Sequence, residues 1–386
     1  MRDIITILGW YGSGNAGDES ILLALLSLLK KNYPDCEIVV ISHRPNFINQ
    51  TYGLRSINVN DFRNIFLTLL KSELFILGGG GLIKPGSVGY YSTILSIANC
   101  LSSKSIVYSI GAIPITSLID RLLILLSFTF CDYVSVRDTF SKNILRNLGI
   151  NRVIFVTRDP VFGHIRNGSK NNYWIDEMKP YITVCLRQWD HSDLIHSGVS
   201  FSNTYENFLS SLSIIMTCLV KSGYNIVYLP LMVNLLENDV TDHKNLLSIM
   251  NNNSKMKLIT NQLDPDSIIN ILANSEFVLG MRYHSIVFSL ISGVPVIALA
   301  YADKVTSLMQ DLKLGSFCIN IKNDFHNETI IQVKNIMKHR NEIKIMIYKQ
   351  LETQRAIINK HDQLLLKIVK RFSFKRGVKN CISKIW

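Results

Sequence analysis

Short apolar runs alternate along this chain with longer stretches whose apolar residues recur at helical spacing. Residues 4–8 form an apolar run, and after a glycine-rich segment Ile21, Leu22, Leu25, Leu26, Leu28 and Leu29 mark one face of a helix. Further short runs at 37–41, 73–77, 105–110, 133–136 and 152–156 predict strands, with a helix at 139–148 opened by Arg137-Asp138. Residues 163–179 are polar and irregular, which marks a candidate linker. A second series follows. Strands are predicted at 181–186, 225–229, 255–259, 277–279, 296–300 and about 316–319. Helices are predicted at 202–222, closed by Gly223, at 265–274, with Asp264 as cap, and at 285–291, ended by Gly293 and Pro295. From 327 to about 372 the pattern is helical. Strands alternating with helices imply parallel order and doubly wound sheets, so the fold class is α/β. The expected organisation is a Rossmann-like domain at 1–165, a second at 178–325, and C-terminal helices with a basic amphipathic tail at 326–386.

At 386 residues the chain is long for a single core, which favours two domains. A hydrophobic content of 47% with 18% charged residues describes a packed globular protein and excludes a disordered one. Cys36, Cys100, Cys131, Cys185, Cys218, Cys318 and Cys381 are scattered, and none forms a Cys-x-x-Cys pair. That usage argues for reduced thiols in a cytosol, against a disulfide framework and against a zinc cage, and no metal is expected. Met1-Arg2-Asp3 leads into the first strand without a secretory leader. No apolar run reaches the roughly 18 residues of a membrane span. The expected location is therefore cytoplasmic.

Charge changes the picture at the C-terminus. The chain carries a net +12, and Lys367, Lys370, Arg371, Lys375, Arg376, Lys379 and Lys384 crowd its last twenty residues without an acid. Leu364, Leu365, Ile368, Val369, Phe372 and Phe374 are interleaved with them. Residues 364–386 thus suit peripheral contact with the inner face of an anionic membrane. A solvated tail is the plainer reading, and a nucleic-acid patch a third, but no nucleic-acid motif accompanies the charge and no nucleic-acid partner is expected.

Chemistry gathers at strand ends. Arg282 and His284 fall where the strand 277–279 hands over to a helix, at the carboxyl edge where open α/β sheets bind ligands. A helix start favours an anion, and an arginine adds a fork of donors for carboxylate or phosphate. The alternative is a surface arginine beside a core histidine. Gly9 to Glu19 reads as strand, glycine-rich turn, helix. It lacks the ending of a Walker loop, and the strand after it lacks the ribose-binding acid of a dinucleotide site. Asp18 and Glu19 are also explained as first-turn acids stabilised by the helix dipole. Gly78, Gly79, Gly80 and Gly81 predict a loop at a strand end open to a sugar or phosphate, or else a crossing where backbones touch.

Taken in order, Gly9-Trp10-Tyr11-Gly12, Asn15-Ala16-Gly17-Asp18, Leu77-Gly78-Gly79-Gly80-Gly81, Ser135-Val136-Arg137-Asp138, Leu148-Gly149, Asp159-Pro160, Gly280-Met281-Arg282-Tyr283-His284, Gly293-Val294-Pro295 and Tyr301-Ala302-Asp303-Lys304-Val305 resemble the polysaccharide pyruvyl transferase family, over about residues 4–310. The family often has leucine where Tyr283 stands, and Asp-Pro or similar where Ala302-Asp303 stands. The resemblance implies two Rossmann-like halves facing a cleft, as in B-type glycosyltransferases. It implies transfer of pyruvate from phosphoenolpyruvate onto two hydroxyls of a sugar in a lipid-linked cell-surface polysaccharide precursor, giving a cyclic ketal and phosphate. Phosphoenolpyruvate is then a donor substrate, and no cofactor is needed. The resemblance points to Arg187, Arg282 and His284 for the donor. His284 is the candidate acid–base residue, since histidine titrates in the useful range, and Asp18 is a candidate for the acceptor. Tyr283, Asn15, Gly79, Gly80, Arg137 and Lys304 are further candidates for substrate binding. Two alternatives stand beside this reading: a B-type glycosyltransferase using a nucleotide sugar, and a non-catalytic saccharide-binding component of an assembly complex.

Overall fold

The computed structural model describes residues 3–163, 177–188, 205–234, 238–250, 254–321 and 325–370. The predicted linker at 163–179 falls almost wholly outside them, as does the tail beyond residue 370. The chain divides into two compact units, one formed by Met1–His164 with Gln354–Trp386 and the other by Ile165–Thr353.

In the first unit the strands are β1 (Ile4–Leu8), β2 (Glu37–Ser42), β3 (Arg55–Asn58), β4 (Ser72–Ile83), β5 (Ser105–Ala112), β6 (Tyr133–Val136) and β7 (Phe155–Val156). They form a parallel sheet in the order β3-β2-β1-β4-β5-β6-β7. The helices are α1 (Ala16–Asn32), α2 (Pro45–Tyr52), α3 (Phe62–Leu69), α4 (Val88–Leu101), α5 (Leu118–Thr129) and α6 (Thr139–Asn147). The central strands are buried on both faces, which is why they read as continuous apolar runs rather than alternating ones. On one face α3, α4 and α5 close a core that includes Phe75, Leu95, Ile124 and Phe128.

In the second unit the strands are β8 (Tyr181–Cys185), β9 (Asn225–Tyr228), β10 (Met256–Leu258), β11 (Val278–Gly280), β12 (Val296–Ala300) and β13 (Cys318–Asn320). Their order is β10-β9-β8-β11-β12-β13, again parallel. The described helices are α7 (Tyr205–Lys221), α8 (Asp239–Ile249), α9 (Pro265–Ala273), α10 (Tyr283–Ser292), α11 (Asp303–Asp311), α12 (Phe325–Lys338) and α13 (Arg340–Lys370). Each sheet runs outward one way and then the other. The reversal lies between β1 and β4 in the first and between β8 and β11 in the second. Ligands of open α/β sheets bind at the carboxyl edge of such reversals.

The helical segment that the sequence sets apart from residue 326 is divided between the units, and the last part of α13 belongs to the first. Asp362 accepts from the Tyr108 hydroxyl (2.5 Å), and Lys104 Nζ donates to the carbonyls of Ile368 (3.2 Å) and Val369 (2.7 Å). Such a cation at a helix C-terminus satisfies carbonyls that the helix itself leaves open. Leu365 and Val369 are buried. Leu364, Leu366 and Ile368 beside them are half-buried. No helix among the described residues is long and apolar enough to cross a membrane.

Candidate active site

The first reversal is built from the turn after β1. Asn15 is the N-cap of α1: its side-chain oxygen accepts from the N–H groups of Gly17 (2.9 Å) and Asp18 (3.4 Å). Glu19, buried in the first helical turn, accepts from the Gly12 N–H (2.6 Å) and from the Tyr52 hydroxyl (3.2 Å). Arg44 Nε donates to the Gly12 carbonyl, so the turn is held from both sides. Burial pushes the Glu19 carboxyl up to about 7, against the pull of those two hydrogen bonds.

The glycine run does not form the open loop predicted as one of its two readings. It lies inside β4, and Gly78, Gly79 and Gly80 are buried, with only Gly81 exposed. A Cβ on Gly79 would come within 2.1 Å of Ile21 Cγ2, and one on Gly80 within 2.4 Å of Asp18 Oδ1. Both residues have positive φ, 48° and 77°. The glycines let α1 cross the sheet at close range, and Asp18 is buried against that crossing. The packing is nearer to the close-crossing alternative, with the side chains of Ile21 and Asp18, not a second backbone, against the glycines.

Arg137 also has its surroundings inside the protein. It follows β6, is buried, and pairs with Asp138 (3.3 Å) and Asp159 (3.7 Å). Asp138 at the same time caps α6 through the Ser141 N–H (2.6 Å). A Cβ on Gly111 would meet the guanidinium at 2.7 Å, so the neighbouring strand leaves room for the arginine and nothing larger.

The second reversal differs in kind. Arg187 follows β8, Arg282 follows β11 and Tyr301 follows β12, and these three strands are neighbours in the sheet. Arg187 NH1 donates to the Tyr301 hydroxyl, and its guanidinium lies 4.9 Å from the centre of the tyrosine ring. Lys304, in the first turn of α11, lies 5.1 Å from the same ring. Burial alone would raise the Tyr301 phenol, but Lys304, Arg187 and Arg282 outweigh it and bring it down to about 8. Tyr301 thus reports a concentration of positive charge.

Arg282 is the N-cap residue of α10, and its guanidinium forms a two-pronged pair with Asp239, through Nε (2.7 Å) and NH2 (2.5 Å). Asp239 is buried and also accepts from the N–H groups of Leu231 and Met232, both at 3.0 Å. The next residues of α8 hold the backbone on either side of Arg187. Asp242 accepts from the Gln188 N–H (3.0 Å) and His243 Nε2 from the Leu186 N–H (3.1 Å). Burial raises Asp242 to about 6 and lowers His243 to about 4, so the imidazole is neutral and able to accept. One helical turn, Asp239 to His243, therefore anchors the supports of both arginines. The sequence reading singled out neither this helix nor its acids. Tyr283 and His284 occupy the first turn of α10, both largely buried, with ring centroids 5.4 Å apart. Arg187, Arg282, Tyr283, His284 and Lys304 are thus at the second reversal. Asn15, Asp18, Gly79 and Gly80 are at the first, and Arg137 is one strand beyond β5 in that same sheet. Among the described residues no group of three or more His, Cys, Asp or Glu could hold a metal ion.

The chain matches the family model of polysaccharide pyruvyl transferases over residues 15–303. It belongs to the polysaccharide pyruvyl transferase family. The matched span begins at the N-cap of α1 and ends at Asp303, so it takes in both reversals. The amylovoran biosynthesis protein AmsJ of Erwinia amylovora is 18% identical over 419 residues, covering 95% of this chain and 99% of that protein. Among solved structures the chain resembles UDP-GlcNAc 2-epimerase of Neisseria meningitidis (TM-score 0.61, 11% identity, 96% of this chain and 100% of that one). It also resembles a glycosyltransferase of Rickettsia africae (TM-score 0.60, 10% identity, 96% of this chain and 100% of that one). These likenesses establish the shared fold of this pyruvyl transferase family member: two parallel α/β units of the B-type glycosyltransferase kind.

Proposed function

We propose that this transferase moves pyruvate from phosphoenolpyruvate onto two hydroxyls of one sugar in a lipid-linked cell-surface polysaccharide precursor, forming a cyclic ketal and releasing phosphate. The observation that carries the reading is the cationic group at the second reversal, Arg187, Arg282 and Lys304 around Tyr301. The donor carries a carboxylate and a phosphate on one small molecule. Two arginines suit these as forked donors, and a lysine suits them as a point charge. Family membership favours the same reaction.

The chemistry needs one proton delivered to the methylene carbon of the donor. That makes its central carbon an oxocarbenium-like centre, to which the first sugar oxygen bonds. The carbon–oxygen bond to phosphate then breaks, and the second sugar oxygen bonds to the same carbon. Two hydroxyl protons are released for the one taken up by carbon, and the other leaves with phosphate. His284, in the first turn of α10 beside Arg282, is the residue we assign to that proton traffic. Arg282, held by Asp239, and Arg187, held between Asp242 and His243, enter the reaction already oriented, which reduces the ordering that binding requires.

Isothermal titration with phosphoenolpyruvate, UDP and CMP tests the donor. Phosphoenolpyruvate is expected to bind, and Arg282→Ala to abolish the heat and lower kcat/KM about 1000-fold, as expected when a transition-state charge partner is lost. His284→Asn is expected to retain donor binding and lose turnover. Binding of UDP or CMP with none of phosphoenolpyruvate would instead make this a nucleotide-sugar enzyme. Donor binding with full function retained in His284→Asn would leave a saccharide-binding component.

A further inference from the structure

Among the described residues, eight of the fifteen large apolar side chains that stand in solvent belong to α3 with its C-cap and α5 of the first unit. On α3, Phe62 (56% exposed), Phe66 and Leu70 recur every fourth residue, with Leu70 at the C-cap. On α5, Leu118 (78%), Ile119 (72%) and Leu122 make a second stripe. Helix α4 lies between them, packed against both, and the Phe62 and Tyr90 rings meet across the α3–α4 seam (6.3 Å). Not one charged residue occurs in α4, and its outward positions include Gly89, Thr93, Ser96 and Cys100. The result is a broad surface without charge on its central helix and with rings and aliphatic chains on its flanks. A patch of this kind on a folded unit marks an interaction surface.

Its charged residues are mostly cations. Arg63, Lys71 and Arg121 are exposed and interleaved with the apolar positions. The acids on these elements are Asp61, which caps α3 through the Asn64 N–H, and Asp120 in the first turn of α5. In a parallel sheet the helix starts lie at the carboxyl edge. Phe62, Leu118 and Ile119, which open α3 and α5, are therefore at that edge, together with the turn after β1.

We infer that the α3–α4–α5 face docks the protein on an anionic bilayer surface. Aromatic and aliphatic residues with cations interleaved are the composition of an interfacial membrane site, and the chain as a whole carries a net charge of +12. A second copy of the chain fits less well. The cations outnumber the acids on this face, so two copies of it would bring an excess of like charge together, whereas an anionic surface meets that excess with opposite charge. The surface differs from residues 364–386, whose described apolar side chains are buried (Leu365, Val369) or half-buried (Leu364, Leu366, Ile368) in the unit. The inference goes beyond the pyruvyl transfer reading, and membrane binding is scored without donor or acceptor, so either can fail alone.

The test is cosedimentation of the full chain with vesicles of phosphatidylcholine, with and without phosphatidylglycerol. The protein is expected to bind the anionic vesicles. Leu118→Gln/Ile119→Gln/Leu122→Gln is expected to lower the partition at least about tenfold, from the loss of aliphatic burial. Arg63→Glu/Arg121→Glu is expected to lower it by about fivefold per removed cation, and only with anionic lipid. These arginines are exposed, so the second variant keeps the test decisive if the first is poorly folded by circular dichroism. Deletion of 371–386 is expected to cost less than either. The inference is overturned if the wild type ignores both vesicles, if both variants bind as it does, or if only the deletion abolishes binding. Light scattering that finds a dimer dissolved by the apolar variant would also overturn it and assign the face to a second copy.

Discussion

The two sheets reverse their strand order at equivalent points, yet different side chains gather at the two reversals. At the first, the residues packed closest are acids: Asp18 against Gly80, and Glu19 under the turn at Gly12. At the second, they are Arg187, Arg282 and Lys304 around one phenol. The topology supplies strand ends and a helix start in both places, and a helix start alone favours an anion in both. Side-chain chemistry decides between them. The first site uses backbone and buried carboxylates to fix a tight turn. The second holds forked cations from behind with the carboxylates of α8. On the proposed function, the second is where the anionic donor is expected.

The sharpest way to break this contrast is to give the first reversal a side chain. Gly79→Ala places a methyl 2.1 Å from Ile21 in a backbone of φ 48°. Left-handed strain and displacement of α1 together are expected to cost about 3 kcal/mol, read from urea unfolding. Gly81→Ala is the control, since nothing lies within 4 Å of its added Cβ. Its stability should stay within about 0.5 kcal/mol of wild type. Equal effects at the two positions would mean that the run serves the turn itself and not the approach of α1.

A second test uses the charge of the turn. The Glu19 carboxyl rises from an ordinary 4.5 to about 7 on folding. Between those values the folded protein binds more protons than the unfolded chain. Stability from this group is therefore fully present below about pH 4.5 and is lost as pH rises through about 7. Glu19→Gln should remove that slope, about 3 kcal/mol across the window, while an amide oxygen still accepts from Gly12. Urea midpoints measured against pH check it. A slope that survives in the variant would have to come from other groups, with Asp242 and Asp362, each raised to about 6 by burial, the next to substitute.

Much of this was readable from the chain. The apolar runs at 4–8, 133–136 and 296–300 coincide with β1, β6 and β12, because strands buried on both faces carry no polar alternation to blur their ends. Asp264, Gly223 and Gly293 mark helix ends through local chemistry that needs no tertiary context. The glycine run was legible only as two alternatives, since the choice depends on Ile21 and Asp18 arriving from α1 some sixty residues earlier. Arg137 sat in a family motif, but its partner Asp159 is twenty-two residues away and comes into range only when β6 and β7 pair. The supports of the two arginines were invisible for the same reason. Asp239, Asp242 and His243 have no spacing of their own that singles them out, and their task is defined by Leu186, Gln188 and Arg282 from other strands.

Tyr301 gives the finest test of the contrast. Its phenol lies among the cations of the second reversal, and Lys304, Arg187 and Arg282 bring it down to about 8 against the effect of burial. Below that pH the hydroxyl accepts from Arg187 and the cluster has its full positive charge for an anionic donor. Above it the phenolate cancels one charge, so the KM for phosphoenolpyruvate should rise with pH through about 8 in the wild type. Tyr301→Phe keeps the ring beneath both cations but frees the Arg187 fork. At neutral pH its KM should rise about tenfold, near 1.4 kcal/mol, with kcat little changed. Its KM should then stay flat through the alkaline range, because nothing remains there to ionise. For folding the sign is the reverse. The folded phenol ionises more readily than the unfolded one, so its contribution is present above about pH 10 and lost as pH falls through about 8, and the variant lacks that change. A positioning role requires the KM step near pH 8 to vanish with the hydroxyl. A step that persists in Tyr301→Phe would assign the titration to another group, and the orientation of Arg187 would then rest on α8 alone.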